Sequence, residues 1–363
     1  MWLPAICDAR YAIRHTLMDR SRLESLLARF PALTVLVVGD FFLDKYLLID
    51  RRLAETSLET GLESHQVVEV RRSPGAAGTV TANLHALGVN VVALGVIGDD
   101  GEGYELKRAL RTIGADVSLL IERPDRFTPT YAKPMLRESP ADTPRELNRL
   151  DIKNRLPMPA EVEDGIIAGL RDALPRVQGV VIADQVSEAD CGVVTERVRA
   201  ELRGLARAHP GKVFAADSRE RVGLYEDVIL KPNAREAVRA VLPEGDATDR
   251  RLVEACGAAL AARARRPVFV TVGAAGILLC DGSSSHCARV PAPAATGPID
   301  PVGAGDSVMA GLVSALCAGA SPHEAAIIGN LVASVTIQQI GTTGTASPEQ
   351  VLRQFDLWAG GLP

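Results

Sequence analysis

Short apolar runs rich in β-branched residues recur along the chain at 34–40, 89–98, 177–184, 212–217, 227–233 and 267–273, and several end in glycine, aspartate or asparagine. Each is nearly continuous in hydrophobicity, so each reads as a strand buried on both faces. Amphipathic helical stretches follow or separate most of them. That alternation predicts a mostly parallel sheet covered by helices on both sides. Ligands in such sheets gather beyond the carboxyl ends of the strands, so the terminal polar residues are the first candidates for a site. Residues 1–32 read as a polar, helical lead-in, with Leu23, Leu26, Leu27 and Phe30 at helical spacing.

Two stretches break the rhythm. Residues 45–73 contain the strand-like QVVEV, and residues 127–150 contain TPTYAKPML and RELNRL. Their alternation predicts short strands of a small second sheet projecting from a core domain that spans 33–358. As a function, that sheet is a lid over a substrate; as bare structure, it is a surface hairpin. Periodicity does not separate the two.

Composition narrows the partners. Of 363 residues, 47% are hydrophobic and 23% charged, which suits one large α/β core with an appendage. A net charge of -5 leaves no basic footprint for nucleic acid or a membrane surface. The first fifteen residues carry early charges and no sustained apolar segment, so neither a secretory signal nor an anchor is expected and a cytoplasmic protein follows. The six cysteines are scattered, with no CxxC pair and no histidine at metal-ligand spacing; they read as reduced, mostly buried thiols.

The segment richest in chemistry is Asp300-Pro301-Val302-Gly303-Ala304-Gly305-Asp306-Ser307, followed by the small and apolar VMAGLVSALCAG. A loop of small residues entering a helix presents backbone N–H groups at the positive end of the helix dipole. Gly303 and Gly305 let phosphate oxygens approach the backbone. Asp306 would be repelled by a bound phosphate, which favours a proton acceptor for an incoming hydroxyl over a phosphate ligand. A lone Asp there would simply cap the helix.

The run from Asp300 to Val313 resembles the C-terminal signature of the PfkB, ribokinase-like carbohydrate kinases. The resemblance implies a three-layer α/β/α core with a small β-sheet lid. It also implies ATP-dependent phosphorylation of a sugar or sugar-phosphate hydroxyl, with Asp306 as catalytic base and the amides of Gly303, Ala304 and Gly305 as anion hole. Other segments follow in the family's order from about residue 34 to 355. Asp44, in Gly39-Asp40-Phe41-Phe42-Leu43-Asp44, would accept hydrogen bonds from sugar hydroxyls. Lys231 and Asn233, within Lys231-Pro232-Asn233-Ala234-Arg235-Glu236, would serve the nucleotide, with Asn233 and Glu236 organising Mg2+ through water. Thr271, Gly273 and Gly276 resemble the turn along the nucleotide, Asp300 opens the phosphate loop, and Asn330 falls where relatives place an Asn beside adenine. Asp217 is either near the phosphates or a satisfied structural Asp.

Gly75, Thr79, Lys133 and Asn148 complete the expected acceptor side. Here the chain departs from the family: Ala76 stands for the second Gly of a Gly-Gly pair and Thr79 for an Asn that touches the sugar, so the acceptor pocket differs in size or donors. The segments GDFFLDKY, TPTYAKPM and ELNRLD are most similar to the heptose-7-phosphate kinase branch, although Ala183-Asp184-Gln185 stands for a Ser-Asp-Tyr type of turn. By resemblance a homodimer forms through the lid, and a monovalent cation assists near residues 341–344. Two other readings of the fold are a non-catalytic sugar or nucleotide binder and a nucleoside kinase. A Rossmann dehydrogenase lacks its GxGxxG, since GVIGDDGEG does not supply it, and a Walker kinase lacks GxxxxGK[ST].

Overall fold

The computed structural model describes residues 18–139, 141–282, 286–295, 297–341 and 343–360. Of the lead-in, residues 1–17 lie outside them. The chain enters through α1 (Arg20–Leu27), which buries Leu23, Leu26 and Leu27, and passes into β1 (Thr34–Gly39). There follow β2 (Phe41–Asp50), a ribbon of β3 (Glu55–Thr56) and β4 (Glu63–Ser64), β5 (Val67–Ala76), α2 (Ala77–Ala86), β6 (Asn90–Gly98) and α3 (Gly101–Ile113). Then come β7 (Asp116–Arg123), β8 (Thr130–Arg137), β9 (Arg145–Glu146), β10 (Leu150–Ile152), α4 (Ala160–Ala173), β11 (Gly179–Asp184), α5 (Glu196–Ala208), β12 (Val213–Ser218) and β13 (Ile229–Leu230). The last part runs α6 (Ala234–Val241), α7 (Arg250–Ala264), β14 (Val268–Thr271), β15 (Ile277–Cys280), β16 (Ala288–Val290), α8 (Ala304–Cys317), α9 (Pro322–Thr336) and α10 (Pro348–Gly360).

The main sheet has the order β16-β15-β14-β13-β12-β11-β1-β6-β7. It is parallel from β7 to β14 and antiparallel only at β15 and β16. The period of two along β1 explains why its sequence is apolar throughout. Val35 and Val37 join a core with α1, α2, α8 and α9, while Leu36 and Val38 join a second core with α4, α5 and α7 on the opposite face.

The second sheet, β10-β8-β2-β5 with β9 beside β8, hangs from the carboxyl end of β1. A single residue, Asp40, separates β1 from β2. Its buried carboxylate accepts N–H bonds from Gln185 (2.7 Å), Val186 (3.0 Å) and Val193 (2.7 Å), tying the root of this sheet to the segment after β11. Burial, reinforced by the charge of Asp184, pushes Asp40 up to about 6.

One expectation is corrected. Cys280 and Cys287 form a disulfide, whereas Cys191, Cys256 and Cys317 are free. Their spacing of seven residues carries no signal; the pair meets because β15 and β16 run antiparallel across the turn between them. No helix among the described residues is long and apolar enough to cross a membrane.

Candidate active site

The loop before α8 is held open by its own first residue. Asp300 accepts from Val302 N–H through Oδ1 (3.0 Å) and from Gly341 N–H through Oδ2 (3.4 Å), and its N–H donates to Ile337 O (2.8 Å). It braces the loop against the end of α9 and does not line the cavity described below, where nucleotide residues were expected. Gly303 sits at φ +78°, and a Cβ there would lie 2.7 Å from the Thr343 methyl, so glycine is required on both counts. No side chain caps α8. The N–H of Ala304 is taken by Pro301 O (3.1 Å), while those of Gly303, Gly305 and Asp306 meet no acceptor among the described residues. Three donors thus stand open, one of them the amide of Asp306 itself, an arrangement that can cradle an anion.

Asp306 is partly buried at the mouth of that cradle. Burial, then the charge of Asp217, push its carboxyl up to about 7, against the pull of Lys231 and Arg219. A carboxylate poised there takes a proton readily at neutral pH. Lys231, after β13, is almost wholly buried, with Nζ 2.8 Å from Asp217 Oδ2 at the end of β12. Burial pulls Lys231 down, but the Asp217 charge outweighs it, and the lysine stays protonated. Its Nζ lies 3.4 Å from the point where a Gly305 Cβ would stand, so the cation abuts the cradle.

At the start of α6, Asn233 Oδ1 accepts from Glu236 N–H (2.9 Å) and Glu236 Oε2 accepts from Asn233 N–H (2.8 Å), a reciprocal capping box. Burial and the charge of Asp217 push Glu236 up, which marks a site short of positive charge. A hard cation fits such a surplus of carboxylate oxygen. No group of three acidic, His or Cys residues among the described residues could hold a metal directly, so contact through water is the form that fits.

A cavity of about 570 Å3 opens beside α6, lined by Asn233, Thr248, Arg250, Thr271, Gly273 and Arg289 among others. It gathers three of the expected nucleotide residues. Gly276, at φ +93°, does its work elsewhere: a Cβ would come 2.2 Å from Val290 O, so it allows β16 to close on the turn. Asn330 is buried and its Nδ2 donates to Val290 O (3.0 Å) and Pro291 O (3.2 Å). It fixes the wall and does not line the cavity.

On the second sheet, Asp44 and Lys133 form an ion pair at 2.9 Å, both side chains nearly buried. Lys133 Nζ also donates to Tyr46 Oη (3.2 Å) and stands 4.7 Å from that ring's centre. Burial lowers the pKa of Lys133, but Asp44 more than compensates, and the net shift is upward. A Cβ on Gly75 would meet Asp44 Oδ2 at 2.6 Å, so only glycine leaves the carboxylate in place. Thr79 is buried with its hydroxyl donating to Pro74 O at 3.4 Å and its methyl beside Gly303. Asn148 is exposed between β9 and β10, with no side-chain partner among the described residues.

Sequence reasoning passed over Tyr46, Tyr131 and Arg219. Tyr46 was within reach, since it shares a strand face with Asp44 by the period of two. Tyr131 lies opposite Asp44 in register, with Arg149 stacked 4.2 Å over its ring. Arg219 had no local signal; it is exposed, and its charge acts on Asp306, Glu236 and Tyr131 together.

Residues 210–350 match the family model of the pfkB family carbohydrate kinases. The chain is 29% identical over 354 residues to the bifunctional protein HldE of Trichlorobacter lovleyi, covering 94% of this chain and 66% of that protein. It is 30% identical over 340 residues to HldE of Geobacter metallireducens, covering 92% and 65%. It thus spans slightly under two thirds of the length of these relatives. Among solved structures, Arabidopsis thaliana ribokinase complexed with ribose and ATP superimposes with a TM-score of 0.65 at 18% identity, covering 89% of this chain and 98% of that one. Phosphofructokinase-2 from Escherichia coli, in complex with potassium, gives 0.68 at 16%, covering 90% and 99%. At such identities the likeness establishes the fold alone.

Proposed function

We propose that this chain, whose residues 210–350 match the family model of the pfkB family carbohydrate kinases, transfers the γ-phosphoryl group of ATP to a hydroxyl of a sugar that already carries a phosphate, a heptose 7-phosphate being the leading acceptor. The observation that carries this reading is the uncapped start of α8, where open N–H groups converge with Asp306 and the buried Lys231.

Asp306 accepts the proton of the attacking hydroxyl as the oxygen bonds to phosphorus in line with the leaving ADP oxygen. The N–H groups of Gly303, Gly305 and Asp306 hold the equatorial oxygens, and in a site sheltered from water such donors act where charge develops. Ala304 joins them if its turn bond to Pro301 opens. Lys231 steadies the phosphates while Asp217 keeps it charged and in place. Magnesium, bound with ATP, would supply charge neutralisation between the phosphates, held through water by Asn233 and Glu236. The adenosine end lies in the cavity lined by Thr271 and Gly273. Asp44 accepts sugar hydroxyls, oriented by Lys133 and given room by Gly75; Asn148 and Thr79 complete the acceptor side. The second sheet closes as a lid and excludes water that would otherwise be phosphorylated.

Two further parts belong to this reading. Pairing of two copies through the lid is supported by exposed Val67, Val68, Leu150 and Ile152 on its strands. A monovalent cation near 341–344 is supported by the tie from Asp300 to Gly341; Thr342 lies outside the described residues. The test is ADP release with magnesium ATP across free and phosphorylated sugars. Turnover only with phosphorylated heptoses or hexoses is expected; turnover with unphosphorylated sugars alone refutes the acceptor class, and none with any sugar refutes the reading.

A further inference from the structure

The one covalent bridge in the described residues ends on the wall of the nucleotide cavity. Cys287 lines that cavity beside Arg289 and Glu254 and is half-buried, whereas its partner Cys280 is fully buried at the end of β15. The bridge is embedded in cavity structure on three sides. Cys287 N–H donates to Glu254 Oε1 (3.0 Å). Gly257 of α7 packs so closely that a Cβ there would meet Cys280 Sγ at 2.7 Å. Beyond Cys287 the chain becomes β16, an edge strand of three residues whose Arg289 lines the cavity and whose Val290 carbonyl receives Asn330. So short an edge strand has few ladder bonds of its own, and the disulfide is what ties its start to β15.

We propose that Cys280–Cys287 is a reversible modification site, exchanged by dithiol reductants, whose state sets the affinity of the cavity for nucleotide. The inference rests on the reading of that cavity as the nucleotide site. A thiolate of the reductant attacks Cys287 Sγ, the sulfur nearer solvent; the Sγ–Sγ bond breaks and Cys280 leaves as a thiolate that takes up a proton. The second thiolate of the reductant then displaces Cys287 from the mixed disulfide, so the reductant is oxidised to its disulfide as the protein gains two thiols. With the bridge intact, β16 and the 287–289 wall are held against Glu254 and α7. Once it opens, the covalent tie at the start of β16 is lost, while the Cys287 N–H bond and the His286 contact to Glu254, the three-residue pairing with β15 and the Asn330 bond to Val290 stay. In a reducing compartment disulfides are mostly transient and sensory, so the open form is the resting state there and oxidation tightens nucleotide binding.

The protein is equilibrated with oxidised glutathione or reduced dithiothreitol, its thiols are counted by alkylation and mass, and MgADP affinity is measured by calorimetry on each form. The expected result is reversible gain of two alkylated thiols, with affinity lower by at least about threefold in the reduced form, the scale of one or two lost wall contacts. Cys287→Ser and Cys280→Ser should each bind as the reduced form does in both buffers, and their circular dichroism checks that they fold. Equal affinity in both forms, or failure of the bridge to form under oxidised glutathione, overturns the proposal while leaving the kinase reading intact. Absence of MgADP binding in either form instead overturns the nucleotide reading of the cavity, and the proposal with it.

Discussion

Two helices begin at the same end of the sheet and treat their first amides in opposite ways. The start of α6 is closed by its own side chains, since Asn233 and Glu236 cap each other's backbone N–H groups. The start of α8 is left open: its Ncap is a left-handed glycine, no side chain reaches back, and three N–H groups find no acceptor among the described residues. A helix end that satisfies itself contributes to stability. One that does not is left with a strong field and unpaired donors, and Asp306 and Lys231 stand where that field is strongest. The difference leaves free anion donors at the start of α8 and none of that kind at the start of α6.

Removing the base at the open end is the most severe way to break this contrast. Asp306→Asn keeps the shape and loses the proton acceptor, so kcat should fall by about 10²–10⁴-fold with ATP binding retained; activity within about tenfold of the parent would remove Asp306 from the mechanism. Closing the open end comes next. In Gly303→Asn the new residue tolerates positive φ and brings a carbonyl that caps the helix, although the Thr343 methyl must give way. Phosphoryl transfer should drop about 10²-fold, the cost of occupied anion donors, read as kcat on protein that circular dichroism shows to be folded, with the thermal midpoint lowered by the displaced Thr343 methyl.

The pH profile sharpens the same point. Because Asp306 is pushed up to about 7 and works deprotonated, kcat/KM should rise with pH up to about 7 and then level, standing about tenfold lower at pH 6 than on the plateau. A limb at the ordinary carboxylate pKa would mean that the base is not buried as described. On the lid, Lys133→Met should raise the KM for the sugar by about tenfold, with kcat less affected, as Asp44 loses the hydrogen bond and charge that orient it. Lys133→Arg should restore part of it; a pure kcat effect would assign Lys133 to chemistry. Last, Asn233→Ala at the closed end should cost about 1 kcal/mol of stability, the value of a cap, measured by denaturant melts. Activity should fall as well, with a raised requirement for magnesium, because Asn233 is proposed to hold the metal through water; a stability loss with unchanged magnesium dependence would remove Asn233 from the metal's hydration shell.

The parts legible in advance were those written in local pattern. The apolar runs at 34–40, 89–98 and 177–184 contain β1, β6 and β11 because a strand buried on both faces must be apolar at consecutive positions. The glycine loop before Asp306 was legible because a positive φ and close approach need glycine. Asn330 read as an adenine neighbour, yet its amide is spent on Val290 and Pro291, and nothing near it in sequence announces those carbonyls forty residues away. The Cys280–Cys287 bridge was read as two free thiols for a similar reason. Which face a cysteine presents, and to whom, depends on the pairing of β15 with β16.

By itself, then, the sequence determined the alternation of strands and helices, the glycine loop and the aspartate that follows it, because propensity, periodicity and backbone sterics act over a few residues. Only the tertiary structure decided that Lys231 is held by Asp217 against that loop, that Lys133 and Tyr46 hold Asp44, and that the burial of Asp306 raises it to about 7. Those are effects of charge and desolvation between groups far apart in the chain, and they exist only once the fold has brought the groups together and excluded the water between them.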